Sequence, residues 1–205
     1  MFDINGKLWG LLIRMTDLIF LNILFVLFSL PVFTFGASKS ALYDQVRNLM
    51  KGDNNQIFKN FYKSFMIYFK RSTLIWLFYL LCLAFISLNI YAILQLPPNG
   101  LTTLFTMSTT FVFLVLNITF FYMIVLNVYF ENSLKNVIIN GFKLALVNLP
   151  MTILLMFIEY LPVIIFFFFT HYFLYLITIY LVIGFSLSAS INTNILMNTL
   201  PFKHD

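Results

Sequence analysis

Apolar runs near or above the ~20 residues needed to cross a bilayer recur along this chain, at about 18–36, 74–96, 103–129, 145–168 and 173–197. They constrain the fold more than any other feature, because in hydrocarbon every backbone polar group must be satisfied internally and helices do this within one segment. Composition agrees: of 205 residues, 61% are hydrophobic and 9% charged, against about 25% charged in soluble domains. The expected fold is all-α, a polytopic transmembrane helical bundle of about five spans in one membrane domain, residues 1–205.

The formal charge of +5 would suggest nucleic acid in a soluble protein. Here the cations crowd beside apolar spans, where the anionic headgroups of a lipid bilayer are the simpler counter-charge, so nucleic acid is not an expected partner. The single cysteine, Cys82, lies inside a predicted span and excludes an intrachain disulfide or paired redox motif. The first run, Leu18 to Gly36, lacks a small-residue cleavage site before Lys39 and is expected to remain attached.

Between the spans the polar residues follow their own pattern. Ile4, Leu8, Leu11, Leu12 and Met15 recur at helical spacing, with Lys7 and Arg14 on another face, which predicts a surface helix over 1–16. The stretch 39–72 predicts two basic cytoplasmic helices, about 39–51 and 56–72, divided by Gly52-Asp53-Asn54-Asn55, with Asp53 and Gln56 as a capping box. In the second, Phe58, Tyr62, Phe65 and Phe69 form one stripe, and Lys59, Lys63 and Lys70 flank it. With Arg71, these cations are candidate lipid or partner contacts. A further surface helix is expected over 133–144; Lys59-Asn60 and Lys135-Asn136 each open such a helix before a hairpin, a hint of duplicated units.

Short cytoplasmic loops carry the excess of Lys and Arg. The 37–73 segment holds Lys39, Arg47, Lys51, Lys59, Lys63, Lys70 and Arg71, whereas the turns at 97–100 and 170–171 hold neither residue type. Five spans put the basic loop inside but the N-terminus outside, which strands Lys7 and Arg14. If the first segment instead turns back at Pro31 as a re-entrant hairpin, four spans remain and all twelve cations face one side.

Pro31 limits helical hydrogen bonding, Thr34 can satisfy a freed carbonyl, and Gly36 with Ala37 permits close backbone approach. This describes a helix terminus and packing seam, or alternatively a broken helix lining a substrate or ion path. The element Leu30-Pro31-Val32-Phe33-Thr34-Phe35-Gly36-Ala37, followed by Ala41-Leu42-Tyr43, Gly52-Asp53, Phe61 and Ser64-Phe65, resembles the YesL family of membrane proteins, also called domain of unknown function 624. The likeness is specific over this stretch and beyond residue 80 rests on length and hydropathy. It implies a multi-pass protein of the bacterial cytoplasmic membrane, encoded near carbohydrate ABC transporters, and no established activity.

Glu159 is the one ionisable residue well inside a predicted span, where a carboxylate costs several kcal/mol unless paired, neutralised or hydrated. It reads either as a transport group or as a hydrogen-bonded Glu near the outer interface, with Pro162 ending the helix and His171 at the outer turn. The last span carries Gly184, Ser188 and Asn192 four apart on one face, amid Ser186, Ser190, Asn194 and Asn198. That face is a packing seam or one wall of a polar pore. Asn22, Asn89, Asn117 and Asn127 extend the question to the other spans.

There is no metal-spaced His/Cys/Asp/Glu set, nucleophile elbow, phosphate loop or convergent acid and base, so no catalytic, cofactor-binding or metal residues are expected. The expectation is a non-catalytic accessory or partner subunit linked to carbohydrate ABC transport or the cell envelope, with ABC transporter subunits or a second copy of the chain as partners. The alternative is a small transporter or channel whose polar path includes Pro31, Glu159, Ser188 and Asn192.

Overall fold

The computed structural model describes residues 4–52, 56–130, 134–147, 149–168 and 172–199, all of them helical or in the turns between helices. The helices are α1 (Ile4–Ser29), a 3-10 turn at Val32–Thr34, α2 (Phe35–Met50), α3 (Ile57–Leu94), α4 (Gly100–Tyr129), α5 (Leu134–Val147), α6 (Leu149–Glu159), α7 (Leu161–Phe168), α8 (Phe173–Ile179), a π-helical segment Tyr180–Gly184, and α9 (Phe185–Thr199). Among these residues four segments are long and apolar enough to cross a membrane: Leu8–Ser29, Ile57–Leu94, Gly100–Tyr129 and Leu174–Asn198. The α5–α6 pair, bent by 105°, makes a fifth if counted as one broken span. The chain is thus an all-α bundle with the helices of a multi-pass membrane protein.

Several expected boundaries differ, among them the span at 145–168, which is divided among α5, α6 and α7. The surface helix at 1–16 and the first span are one helix, α1, that ends at Ser29 rather than Gly36, since Pro31 cannot continue the ladder. Helix 56–72 and the span at 74–96 are likewise one helix, α3, which no Gly or Pro interrupts over 38 residues. It is about 57 Å long at 1.5 Å per residue, so it extends well beyond a ~30 Å hydrocarbon layer. The capping box at Asp53 lies outside the described residues. The two expected units continue differently: α3 is one unbroken helix through Lys59-Asn60, whereas α5 ends at Val147 and meets α6 at a bend of 105°.

The largest correction concerns α2. Its polar sequence reads as a cytoplasmic surface helix, yet residues Gly36 to Tyr43 are all buried, and the helix sits at the centre of the bundle against α1, α3, α4 and α9. It runs antiparallel to the first half of α3: Gly36 meets Ser72 and Trp76, Ser40 bonds Ser72, and Gln45 bonds Ser64. Phe61, Phe65, Ser72, Ile75 and Tyr79 of α3 are buried at successive spacings of four, seven, three and four residues, the seam of a helix packed along another helix. The inward face of α3 therefore starts at Phe61. Of the expected stripe, Phe58 and Tyr62 are exposed and Phe65 is buried, with Phe28 of α1 packed on Phe61 and Phe65.

The second half of α3 and the first half of α4 form the hairpin read from Pro97-Pro98-Asn99-Gly100. Asn99 caps α4, exchanging bonds with Thr102 as a reciprocal box. Apolar side chains such as Phe85, Leu94, Leu104 and Phe111 stand exposed along this hairpin, as lipid-facing residues do.

Candidate functional site

Helix α2 brings one of its charged residues, Lys39, to the middle of the bundle. Lys39 is buried, and its ammonium lies 2.5 Å from Glu159 Oε1 at the end of α6. The other carboxylate oxygen accepts from Tyr43 Oη (3.3 Å), one turn along α2, and from Asn192 Nδ2 (3.4 Å) of α9. Asn192 also donates to Tyr43 Oη at 3.3 Å. The rings of Phe35 and Phe120 lie 5.8 and 6.0 Å from the ammonium, within cation–π range. Tyr43 and Asn192 thus close around one ion pair, and the four residues, drawn from three elements, are flanked by aromatic rings.

Sequence reasoning singled out Glu159 and Asn192 but placed Lys39 with the cytoplasmic cations. The two charges lie 120 residues apart, and only the burial of α2 brings them together. Glu159 is therefore paired and hydrogen-bonded at both carboxylate oxygens. His171 falls outside the described residues. One sequence signal did mark Lys39: it stands in a run of small residues, Gly36-Ala37-Ser38 and Ser40-Ala41, whose lack of bulk suits a close-packed helix better than a surface one.

Further polar clusters pin the helices together. Ser72 bonds both Ser40 and Asn127, joining α2, α3 and α4. Ser64 donates to Asp44 at 2.6 Å and accepts from Gln45 at 2.8 Å. Burial pushes the Asp44 carboxyl up from its ordinary range, while Ser64, Arg47 and Lys51 hold it down. Asn117 accepts from Tyr79 and from Tyr160, tying α3 and α4 to the α6–α7 junction. Asn89 accepts from Thr109 across the α3–α4 hairpin.

Asn22 of α1 grips the π-helical segment: its Nδ2 donates to the Leu181 carbonyl (2.6 Å), and its Oδ1 accepts the Ser186 amide (2.9 Å). A π turn leaves groups outside the α ladder, and this side chain reaches groups beside it. Gly184 is required there, since a Cβ would overlap the Tyr180 ring. Gly184, Ser188 and Asn192 are all buried, so the face of small and amide residues points into the bundle.

At the first break, Thr34 Oγ1 lies within hydrogen-bond reach of the Phe28 (2.6 Å) and Pro31 (2.7 Å) carbonyls. Gly36 meets α3 so closely that a Cβ would sit 2.7 Å from Trp76 Cβ, and Trp76 Nε1 donates to the Val32 carbonyl at 2.7 Å. Pro31, Thr34 and Gly36 thus form a packed turn that sends the chain from α1 into α2. They do not join the ion pair by any hydrogen bond among the described residues. Lys59, Lys63 and Lys70 are exposed on the first half of α3 and also lie apart from it; Arg71 is half-buried.

A cavity of about 490 Å³ opens at one end of the bundle, lined by Arg14 and Asp17 of α1, Met50 at the end of α2, and Ser190, Asn194 and Asn198 of α9. Its lining includes none of Lys39, Tyr43, Glu159 and Asn192. Among the described residues no three His, Cys, Asp or Glu converge as metal ligands would.

A family profile described as a protein of unknown function, DUF624, matches residues 18–90. The match runs from the middle of α1 through the Pro31 turn and α2 into the last turns of α3; it contains Lys39 and Tyr43 but neither Glu159 nor Asn192. No curated protein and no solved structure matches the chain.

Proposed function

We propose that this chain is a non-catalytic, multi-pass protein of the bacterial cytoplasmic membrane, serving as an accessory or partner subunit with the Lys39–Glu159 pair as its internal lock. One observation carries the reading: both Glu159 oxygens are occupied by side chains of the bundle itself. A buried charge so satisfied holds helices together and offers a substrate little to bind. The match to DUF624 supports the sequence likeness, and the YesL resemblance supplies the link to carbohydrate ABC transport and the cell envelope. Purification of the tagged protein from native membrane in mild detergent, with mass spectrometry of what remains bound, tests it. A stoichiometric permease, ATPase or solute-binding protein is expected; recovery alone or as a homo-oligomer refutes the accessory role.

The same reading includes a topology. Arg14 of α1, Met50 of α2 and Asn198 of α9 line one cavity, which supports a hairpin in which α2 returns to the end where α1 begins. Arg14, Arg47, Lys51, Lys59 and Lys63 then gather at that end, and by the positive-inside tendency it is cytoplasmic. In a Cys82→Ser background, Lys7→Cys should be protected from an impermeant thiol reagent added outside; labelling there would restore the five-span form with its N-terminus outside.

A second reading, a small transporter or channel, is favoured by the one-ended cavity together with a bent α5–α6 pair and a π-helical segment, since discontinuous helices surround many transport sites. Flux lost in Glu159→Gln protein that keeps its fold would support it, and unchanged flux would count against it.

A further inference from the structure

The end cavity carries a cation and an anion to which neither reading gives a binding role. Arg14 and Asp17 stand three apart on α1 and both line it, yet among the described residues neither forms an ion pair with the other or with any other side chain. Asp17 is half-buried and lines the cavity, and its Oδ2 finds no hydrogen-bond partner among the described residues, a costly arrangement for a carboxylate. Ser190, Asn194 and Asn198 add a hydroxyl and two amides along the α9 wall, with Asn198 donating to Asn194 at 3.3 Å. Leu18, Val46 and Leu49 add apolar surface to the same lining.

A cation and an anion held unpaired in one cavity, together with apolar surface and neutral donors and acceptors, complement a ligand that bears both charges. We propose that this cavity binds an ammonium–phosphate zwitterion, its phosphate at Arg14 and its ammonium at Asp17, the headgroup chemistry of phosphatidylethanolamine. The volume of about 490 Å³ falls within the ~300–1,000 Å³ usual for small-molecule sites. An arginine suits phosphate by its forked donors, and a carboxylate suits a primary ammonium with its N–H groups. Exposed Leu11, Leu12 and Met15 on the adjoining turns of α1 offer acyl chains an apolar exit. The inference stands on the cavity alone and depends on neither functional reading above.

Thermal unfolding of the full chain in detergent, with native mass spectrometry of the same samples, tests it. Phosphatidylethanolamine, phosphatidylglycerol, phosphatidylcholine and soluble phosphoethanolamine are added separately. At about 100 Kd, phosphatidylethanolamine is expected to raise Tm by about 5–10 °C. Phosphatidylglycerol has no ammonium and phosphatidylcholine has no ammonium N–H, so each should give less than half that shift. Asp17→Asn, near-isosteric, should erase the preference for phosphatidylethanolamine over phosphatidylglycerol, while Arg14→Gln should weaken both. An equal response to phosphoethanolamine identifies a free zwitterion as ligand, and a response to lipid alone identifies the headgroup; both uphold the site. No preference among the lipids, or a preference intact in both folded variants, overturns it.

Discussion

Replacing Lys39 with methionine would leave the Glu159 carboxylate in the bundle with only Tyr43 and Asn192, at 3.3 and 3.4 Å, to hold it. The side chains of the pair are 10% and 20% exposed, so water can supply little of the missing solvation. Removing one partner of a buried pair costs about 3–5 kcal/mol, because the remaining charge is uncompensated. At about 2–4 °C per kcal/mol for a chain of this size, Lys39→Met should lower Tm by roughly 6–20 °C. Glu159→Met should cost less, since the Phe35 and Phe120 rings still face the stranded ammonium. The double variant removes both charges and should recover most of the loss, as buried pairs replaced by apolar residues of similar volume often do. Thermal unfolding of the four proteins in one detergent gives the coupling energy of the cycle. Strictly additive losses, or two single variants within 1 °C of the parent, would refute the lock.

Other perturbations probe the packing around that centre. Gly36→Ala drives a methyl into Ser72 and Trp76, and should cost about 1–3 kcal/mol, read as a lower Tm. Asn22→Leu strands the Leu181 carbonyl and Ser186 amide at about 1–3 kcal/mol, and hydrogen exchange should quicken over residues 181–186 while the α3–α4 hairpin stays unchanged. Burial makes folded Asp44 hold a proton more tightly than the unfolded chain does, so stability should fall as pH rises from its ordinary 3.8 through the raised value. Asp44→Asn should flatten that slope in Tm measured across the acidic range.

The helical bundle was legible because long apolar runs leave a chain few alternatives, and Pro31 and Pro97-Pro98-Asn99-Gly100 mark real turns for local steric reasons. The face of Gly184, Ser188 and Asn192 was legible too, since small and amide groups at helical spacing share one direction. What periodicity cannot distinguish is a polar residue turned to water from one turned to another polar residue. Helix α2 misled for that reason: Ser38, Lys39, Ser40 and Gln45 look solvated and are buried. The continuity of α3 could have been found from its freedom from Gly and Pro between Ile57 and Leu94; the charges on its first half argued otherwise. The partner of Glu159 was hidden by separation along the chain, as local pattern carries no information across 120 residues.

That separation acquires another meaning when the chain is being made. At about 5–20 residues per second, the ribosome takes roughly 6–24 s to travel the 120 residues from Lys39 to Glu159. Throughout this interval the nascent α2 carries an unneutralised lysine, so its final seat is unfavourable until the carboxylate arrives. The N-terminal half is expected to wait in a provisional arrangement, open to membrane proteases, and a message cut short before codon 159 should yield a product that is degraded rather than accumulated. The ion pair thereby acts as a check on completeness, made by the last third of the protein upon the first.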